Sequence, residues 1–403
     1  MTHRTRFPIL LAAALVSAAL PPAAGASALP QVASSPAQTW QVLAPGWTHA
    51  NKEAGRVDDV LPVGSRVYVG GNFVEVANHS GSVKARSYLA SVSTSTGALG
   101  VFHPRLNGRV YALAASPDGR YLYVGGDFTR VNGVPRDHVA AFAVSTRRLA
   151  SRLPDMHVSG PVLALAATSG SLYVGGSFTS VAGHARGRLA KFVLSRSGRF
   201  RLSTWAASAS NQVRDMVVDA ARGRIIAGGL FTTVNGRPQD RIAAIGERLG
   251  RLKPWASHPT ADILDLSQAN GTLYAAEAGP GGTALAYDLA GGRLRWYYKT
   301  DGNVQAVATV RGSPVFGMHG DYVAPRRNQP LQESGGSPRI QRHKLFMLTP
   351  SGVLEPWNPD VTSTAGVLGV WALRGANGSV YVGGDFTSVH GVAQQRFAVL
   401  RGR

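Results

Sequence analysis

The sequence predicts an all-β protein folded as a single seven-bladed β-propeller, with four-stranded antiparallel blades and a last blade completed by the N-terminal strand. Three observations predict it. A Gly-Gly motif recurs along the chain, its copies lie about 50 residues apart, and short apolar segments separated by turn residues flank each copy. This period and strand count are typical of propeller blades rather than of helical solenoids.

The repeated motif is clear in five copies, whose Gly-Gly pairs begin at residues 70, 125, 175, 228 and 383. A phenylalanine and then a valine follow each pair at fixed spacing, as in Phe128 and Val131. The long interval after residue 228 has room for two more copies. We place degenerate copies there, with Ala275-Ala276 and Gly317-Met318 in the Gly-Gly place, which makes seven units.

Each unit is expected to hold four strands in the same order. An apolar strand comes first, a tight turn such as Asn270-Gly271 follows, and the Gly-Gly segment forms the second strand. A third apolar strand and a shorter fourth strand, often ending on Trp or Phe, complete the unit. The first strands are predicted at 57–63, 110–115, 162–167, 213–218, 263–267, 304–309 and 370–374.

The two ends of the chain are expected to meet. The last unit stops after its third strand, and the segment at about 38–47 precedes the first unit, with Trp47 spaced from Val57 as Trp357 is from Val367. We predict that this latch strand completes the last blade, because closing a ring of sheets removes exposed strand edges. The domain boundaries are then a leader at 1–28 and a propeller at 29–403.

The leader has the features of a secretory signal peptide. Arg4 and Arg6 precede a 13-residue apolar run, and Ala26-Ser27-Ala28 resembles a small-residue cleavage site. A membrane anchor is the alternative, but the run is shorter than the roughly 18 residues that span a bilayer, and no later segment is long enough. We therefore expect a secreted, extracellular protein without a transmembrane segment.

Composition excludes several classes of function. The chain has no cysteine, which rules out disulfides, thiolate metal sites and cysteine nucleophiles. Its net charge of +20 is spread over most units without Lys/Arg runs, which argues against nucleic-acid binding. A basic exported monomer is instead expected to meet a protein or polysaccharide partner, with an anionic envelope polymer as one candidate.

The repeated YVGGxFTxVxG motif, the RLAAF-like third strand and the Trp ending resemble the delta-60-repeat, or domain-of-unknown-function, β-propellers of secreted bacterial proteins. The resemblance covers about residues 38–403. It implies a seven-bladed propeller and carries no catalytic motif that could be transferred to this chain.

Three aspartates form the first candidate site. Asp59, Asp215 and Asp265 occupy the same place in the first strands of three units, where the other units have alanine. A cluster of carboxylates near the axis would suit Ca²⁺, which takes several oxygen ligands. The alternative is that these are hydrogen-bonded polar groups facing the central channel.

The second candidate site is a polar insertion at about 318–343 in the sixth unit. It contains His319, Asp321, Tyr322, Arg326, Arg327 and His343, and it replaces the short turn found after the second strand in other units. Long loops on rigid scaffolds often carry function. His319, Asp321 and His343 could form a metal or acid–base site, although their spacing matches no known ligand motif.

These observations favour a secreted, non-enzymatic binding module that contacts a protein or glycan through one face of the ring, with the insertion as the contact. The alternative is an extracellular carbohydrate-active hydrolase or lyase with its site at the central channel. An enzyme should bring Asp59, Asp215 or Asp265 together with a His, Tyr or Arg in one pocket, whereas a binding module should not.

Overall fold

The computed structural model describes residues 32–43, 55–331, 338–363 and 369–402. The leader at 1–28, Trp47 and part of the insertion lie outside these residues. The described chain is all-β: its secondary structure is antiparallel strands with one 3-10 turn at Ala220–Arg222. No helix among the described residues is long and apolar enough to cross a membrane.

The main strands form successive sheets, which we number 1 to 7 in chain order. Within each sheet the strands follow sequence order and pair antiparallel. Sheet 1 contains Val57–Val63, Arg66–Gly71 and Leu89–Ser93; sheet 2, Val110–Ala115, Tyr121–Gly126 and Val139–Ala143; sheet 3, Val162–Ala167, Ser171–Gly176, Leu189–Leu194 and Phe200–Leu202; sheet 4, Val213–Asp219, Arg224–Gly229, Ile242–Gly246 and Leu252–Lys253; sheet 5, Ile263–Ala269, Thr272–Glu277, Thr283–Asp288 and Leu294–Lys299; sheet 6, Val304–Val310, Ser313–Met318 and Leu345–Met347; and sheet 7, Val370–Ala376, Ser379–Gly384 and Phe397–Leu400.

The seven sheets differ in whether they contain a fourth strand. Sheets 3, 4 and 5 have four strands, whereas sheets 1, 2 and 6 have three among the described residues. In those three sheets a single bridge takes the fourth position, at Leu99, Leu149 and Leu354. The fourth segment is short in these units, so that it makes one bridge pair rather than a ladder.

The Gly-Gly pair is explained by two close approaches. A β-carbon on Gly70 would lie 2.5 Å from Val110 Cγ1 of the next sheet, and one on Gly71 would lie 2.1 Å from the Arg56 carbonyl oxygen of its own sheet. Both distances are far shorter than any carbon contact, so a larger residue at these two places would require the neighbouring strands to move. The same pattern recurs at Gly125-Gly126. The motif therefore serves sheet packing.

The register corrects the placement of the motif in the fifth unit. Asp265 pairs with Ala276, and Ile263 pairs with Glu277, as Asp59 pairs with Gly70 in sheet 1. The Gly-Gly place is therefore filled by Ala276-Glu277, one residue later than we predicted. The sequence pattern could not show this, because two neighbouring alanines satisfy either alignment.

Neighbouring sheets pack through their apolar faces. Each first strand lies beside the first strands of the sheets before and after it, and Val57–Val63 also lies beside Val370–Ala376. Between sheets 3 and 4, for example, Tyr173 and Trp205 pack with Ile225 and Phe231 in one buried cluster. The first strands are thereby held side by side, which positions the site described below.

The N-terminal segment contacts sheet 7. The Ala33 N–H donates to the Arg401 carbonyl and the Ala37 N–H to the Val399 carbonyl, both at 2.8 Å. Further along, Gln41–Val42 pairs with Glu75–Ala77 of the first unit, and the Val42 N–H donates to the Gln395 carbonyl of the seventh unit at 3.2 Å. The latch at about 38–47 stays a prediction, since residues 44–47 lie outside the described residues.

Small ladders follow the second strand of most units. They comprise Gln41–Val42 with Glu75–Ala77 and Val83–Ala85; Arg130–Val131 with Val134–Pro135; Ser180–Val181 with His184–Ala185; Thr233–Val234 with Arg237–Pro238; Tyr322–Val323 with Ile340–Gln341; and Val361–Thr362 with Ser388–Val389 and Val392–Ala393. The insertion is thus a lengthened version of a hairpin that other units share, and residues 332–337 within it are not described.

Candidate functional site

A β-bulge occurs at the same place in the first strand of every sheet. The pairing register shifts there by one residue, as between Val57 and Asp59. A bulge redirects side chains and leaves one residue unpaired. We call the unpaired residues the bulge residues: Asp58, Tyr111, Leu163, Arg214, Leu264, Gln305 and Trp371.

The bulge residues surround one cavity. The seven side chains, together with Arg56, line a space of about 120 Å³, which we call the bulge cavity. Because the first strands lie side by side, the repeated bulge brings residues separated by more than 300 positions in sequence to one place. The lining combines cations, one acid, two aromatic rings and an amide, a set suited to polar recognition.

An ion-pair network forms one wall of the bulge cavity. Asp58 accepts from Arg109 at 2.6 Å through Nε and 2.7 Å through Nη2, and from Arg56 Nε at 2.8 Å. The Arg56 guanidinium lies 4.1 Å from the ring centre of Trp371, and Arg109 lies 4.7 Å from that of Tyr111. Paired and stacked groups of this kind are held rigidly.

Arg214 is the cation of this cavity that the acid does not neutralise. Its Nε is buried and has no hydrogen-bond partner among the described residues. Burial lowers the pKa of Arg214, the charge of Asp262 raises it, and the charges of Arg56 and Arg109 lower it further. The bulge cavity therefore holds a guanidinium that its own acid, Asp58, does not pair with, and an anionic group could bind there.

The three predicted aspartates do come together, in a smaller space next to the bulge cavity. Asp59, Asp215 and Asp265 line a cavity of about 60 Å³ with Arg374, which we call the aspartate cavity, and all seven bulge residues, including Tyr111 and Arg214, line it as well. Each carboxylate accepts a hydrogen bond from the backbone of the following sheet. These bonds are Leu113 N–H to Asp59 at 2.7 Å, Leu266 N–H to Asp215 at 2.9 Å and Val307 N–H to Asp265 at 2.8 Å.

The aspartates therefore tie neighbouring first strands together across the bulges. Asp59 also accepts from its neighbouring Val60 N–H at 2.8 Å and pairs with Arg374 at 3.2 Å. Asp265 likewise accepts from the Leu266 N–H at 3.0 Å. Both oxygens of Asp59 and of Asp265 are thus engaged within the protein.

Burial controls the protonation of this cluster. It raises the pKa of Asp59 to about 6, against the opposing charge of Arg374. Burial raises the pKa of both Asp215 and Asp265, and the nearby charge of Asp215 helps to hold the pKa of Asp265 well above its usual range. Burial lowers the pKa of Arg374, but the three carboxylates more than offset this and hold it above its usual value.

The geometry does not favour Ca²⁺ at these aspartates, because backbone N–H groups and Arg374 already occupy their oxygens. Among the described residues, the acid and histidine group whose ligand atoms lie within 4.8 Å of one another is Asp137, Asp155 and His157. That group is on a different part of the molecule from either predicted site.

The structure does not gather the predicted residues of the insertion into one site. His319 lies 3.4 Å from Gln305 through Nδ1, Asp321 pairs with Lys344 at 2.7 Å, and Tyr322 lies under Arg339 at 4.1 Å. Arg327 donates to the Ser351 carbonyl, and His343 pairs with Asp360. Arg326 is exposed, and no hydrogen bond or ion pair joins it to the described residues. Lys344 Nζ also donates to the His319 carbonyl at 3.0 Å and so links His319 with Asp321, whereas His343 has a separate partner.

Sequence reasoning missed the bulge residues. They precede the repeated Asp or Ala position by one and vary among acid, base, amide and aromatic types within an apolar strand. That variability at a fixed position was the available signal. The bulge turns these side chains toward a common cavity. It depends on how two strands pair, so it could not be predicted from the sequence of one strand.

Comparison with known proteins supports a β-propeller fold and does not assign a function to this chain. Residues 116–140 match the model of a domain of unknown function, the DUF5122 β-propeller. The WD40 repeats of RRP9 are 12% identical with a TM-score of 0.57, covering 93% of this chain and 100% of that one. A chain from the mitotic checkpoint complex is also 12% identical, with a TM-score of 0.58, covering 97% of this chain and 99% of that one. No curated protein matches the sequence. At this identity, the similarity shows a β-propeller fold alone.

Proposed function

We propose that this protein is an exported, non-enzymatic binding module whose seven four-stranded blades form a ring closed by the N-terminal segment. Its partner is a protein or a glycan, and it acts as a monomer outside the cell or at the cell envelope. The features of the leader and the resemblance to secreted bacterial propellers support export. Propellers are rigid scaffolds that present side chains from many strands at one face.

The observation that carries the proposal is the positive charge of Arg214 in the bulge cavity. A guanidinium whose Nε lacks a partner, beside rigid aromatic rings and an amide, is equipped to bind a carboxylate, phosphate or sulfate group. A cavity of about 120 Å³ admits one such group rather than a whole ligand. We infer that the ligand inserts an anionic group there and spreads over the surrounding face.

The insertion is placed to extend that contact. His319, at its start, lies 3.4 Å from Gln305, which lines the bulge cavity. The insertion therefore begins at the rim of the cavity and then runs outward, since the Asn328 N–H donates to the Tyr297 carbonyl of sheet 5 at 2.8 Å and Arg327 donates to the Ser351 carbonyl. A ligand held at Arg214 would meet the start of the insertion next, which supports the same face as the contact surface.

The hydrolase or lyase alternative has one observation in its favour. Asp59, Asp215 and Asp265 lie with Arg374 in one cavity, and raised pKa values suit a general acid. Against it, a space of about 60 Å³ is too small for a sugar ring, and the oxygens of Asp59 and Asp265 already accept backbone hydrogen bonds. The binding role is therefore the better supported of the two.

The proposal is tested with the chain lacking its leader on a glycan array and on a panel of immobilised envelope proteins. The variant Arg214→Gln removes the charge of the cavity, and Arg201→Gln, on an exposed outer strand of sheet 3, removes the same charge elsewhere. We expect Arg214→Gln to weaken binding at least tenfold, as loss of a charge-assisted hydrogen bond does, and the control to leave it unchanged.

Release of reducing ends from each bound glycan is measured in the same experiment. Binding without release supports the module. Turnover that Asp59→Asn abolishes would establish the enzyme alternative. Equal binding by the wild type and Arg214→Gln would overturn the assignment of the bulge cavity as the contact.

A further inference from the structure

A second candidate site lies between the outer parts of sheets 4 and 5. A groove of about 820 Å³ is lined by side chains that include Arg222, Arg237, Lys253, Trp255 and His258, which we call the outer groove. This volume is in the range of sites that hold small organic ligands. Its lining includes four cations, counting Arg224, and no carboxylate.

Trp255 marks this groove as different from its counterparts. Four tryptophans occupy the end of the fourth segment in successive units, and three donate their indole N–H to a backbone carbonyl of the next unit or of the N-terminal segment. These bonds are Trp205 to Gly246 at 2.9 Å, Trp296 to Pro350 at 3.1 Å and Trp357 to Ala33 at 3.4 Å. The Trp255 Nε1 is buried and has no such partner among the described residues.

The missing bond has a local cause. Arg224 donates to the Leu289 carbonyl and, at 2.9 Å, to the Ala290 carbonyl, so these acceptors of sheet 5 are already used. The Trp255 ring packs against Gly292, where a β-carbon would lie 2.4 Å from the ring. The Trp255 ring therefore lines the groove while its N–H is buried beneath the surface without an acceptor, which is costly.

The charges of the groove also lack a counterpart. Asp219 pairs with both Arg222 and Arg224, at 3.2 Å and 2.9 Å, and so neutralises one of them. Arg237 and Lys253 are exposed, and neither side chain has a hydrogen bond or ion pair within the described part of the chain. The groove thus carries an excess of positive charge beside Trp255, whose indole N–H has no acceptor among the described residues.

We propose that the outer groove binds a segment of a carboxylated glycan. A sugar ring lies against the part of the Trp255 ring that lines the groove, and Arg237 and Lys253 pair with carboxylates of the same segment. A peptide adding as a strand is disfavoured, because the adjacent outer strand Leu252–Lys253 has only two residues and Pro254 follows it without a backbone donor. This inference rests on the proposed binding role but not on the bulge cavity.

The test is titration calorimetry of the chain without its leader against a trimer of galacturonic acid. Its methyl ester serves as the uncharged probe and a hexamer of glutamate as the peptide probe. We expect the acid to bind and the ester to bind at least tenfold more weakly, with affinity falling as salt is added. Equal binding of acid and ester, no binding of the acid, or tighter binding of the peptide would overturn the proposal.

Three variants locate the site. Replacing Arg237 and Lys253 together by Gln should reduce affinity about tenfold or more, and Trp255→Phe, which removes only the indole donor and some ring area, should reduce it about fivefold. Replacing Arg199 and Arg201 together by Gln removes the same charge from the outer strand of sheet 3 and should leave affinity unchanged. Retained affinity in both groove variants would refute the site.

Failure here is distinguishable from failure of the proposed function. If Arg214→Gln abolishes trimer binding and the groove variants keep it, the outer groove is wrong and the bulge cavity stands. If the groove variants abolish it and Arg214→Gln does not, the outer groove is established as a separate site.

Discussion

The packing of glycine against the neighbouring sheet gives a prediction that two substitutions can test. A β-carbon on Gly175 would lie 2.7 Å from Val213 Cγ1 in sheet 4. Gly175→Ala should therefore destabilise the fold by overpacking. Val213→Ala removes the atom that would clash, so the same alanine should be better tolerated in the double variant.

The magnitude follows from the geometry. Contacts near 2.7 Å require the two sheets to separate by about 1 Å, and forced insertion of one methyl into a packed core costs about 2 kcal/mol. Sheet 5 carries Ala276 at the equivalent place, so such a shift is compatible with the fold. Val213 is fully buried, and its truncation alone should cost about 2 kcal/mol. The double variant should then lose at least about 1 kcal/mol less than the two costs combined.

Urea unfolding followed by tryptophan fluorescence measures the four free energies of the cycle. Gly170→Ala is the control, since a β-carbon there meets no atom within 4 Å, and its free energy of unfolding should be unchanged or slightly higher. If the two effects add to within about 0.5 kcal/mol, close approach does not explain the motif.

Three further predictions concern buried polar groups. Burial raises the pKa of Asp59 from 3.8 to about 6, so ionisation of this carboxyl lowers the stability of the wild type as pH rises through that interval. Asparagine does not ionise. Relative to wild type, Asp59→Asn should therefore be less destabilising at pH 7 than at pH 4, by up to about 3 kcal/mol. Urea unfolding at both pH values checks this, and a difference of opposite sign would contradict it. Asp58→Asn weakens a buried pair with two arginines and should lower the free energy of unfolding in urea by about 3 kcal/mol, whereas Asp118→Asn in an exposed pair should lower it much less. Trp205→Phe breaks a buried hydrogen bond that Trp255 lacks, so thermal unfolding should show it to be about 1 kcal/mol more destabilising than Trp255→Phe; equal losses would refute the assignment of the orphan donor.

Much of the strand order could be predicted because the repeat constrains it. Turn glycines such as Gly271, which has φ +73°, and alternating apolar segments mark the ends of the strands, and the first strands begin at the predicted residues in every unit. The strand positions were predicted least well in the fifth unit, where other residues replace the Gly-Gly pair. The fifth-unit motif was placed one residue early, because Ala275 and Ala276 fit either alignment.

The candidate site was predictable only in part. The shared position of Asp59, Asp215 and Asp265 is visible in the repeat, and the structure brings them together with Arg374. Their chemistry was not visible, because backbone N–H groups of the next sheet decide which carboxylate oxygens are occupied. The insertion residues were chosen for their types, and their partners, such as Asp360 for His343, come from elsewhere in the chain.

The sequence by itself determined the repeat, the strand order and the glycines that packing requires, since these depend on local turn chemistry and on periodic apolar positions. Tertiary structure alone decided that a bulge turns Arg214 into a shared cavity and that Trp255 lacks the acceptor its counterparts have. Both features depend on which atoms of a neighbouring sheet lie within hydrogen-bonding distance. The repeated motif is nearly the same in every sheet. It therefore cannot show where one sheet contacts different atoms of the next sheet than its counterparts do.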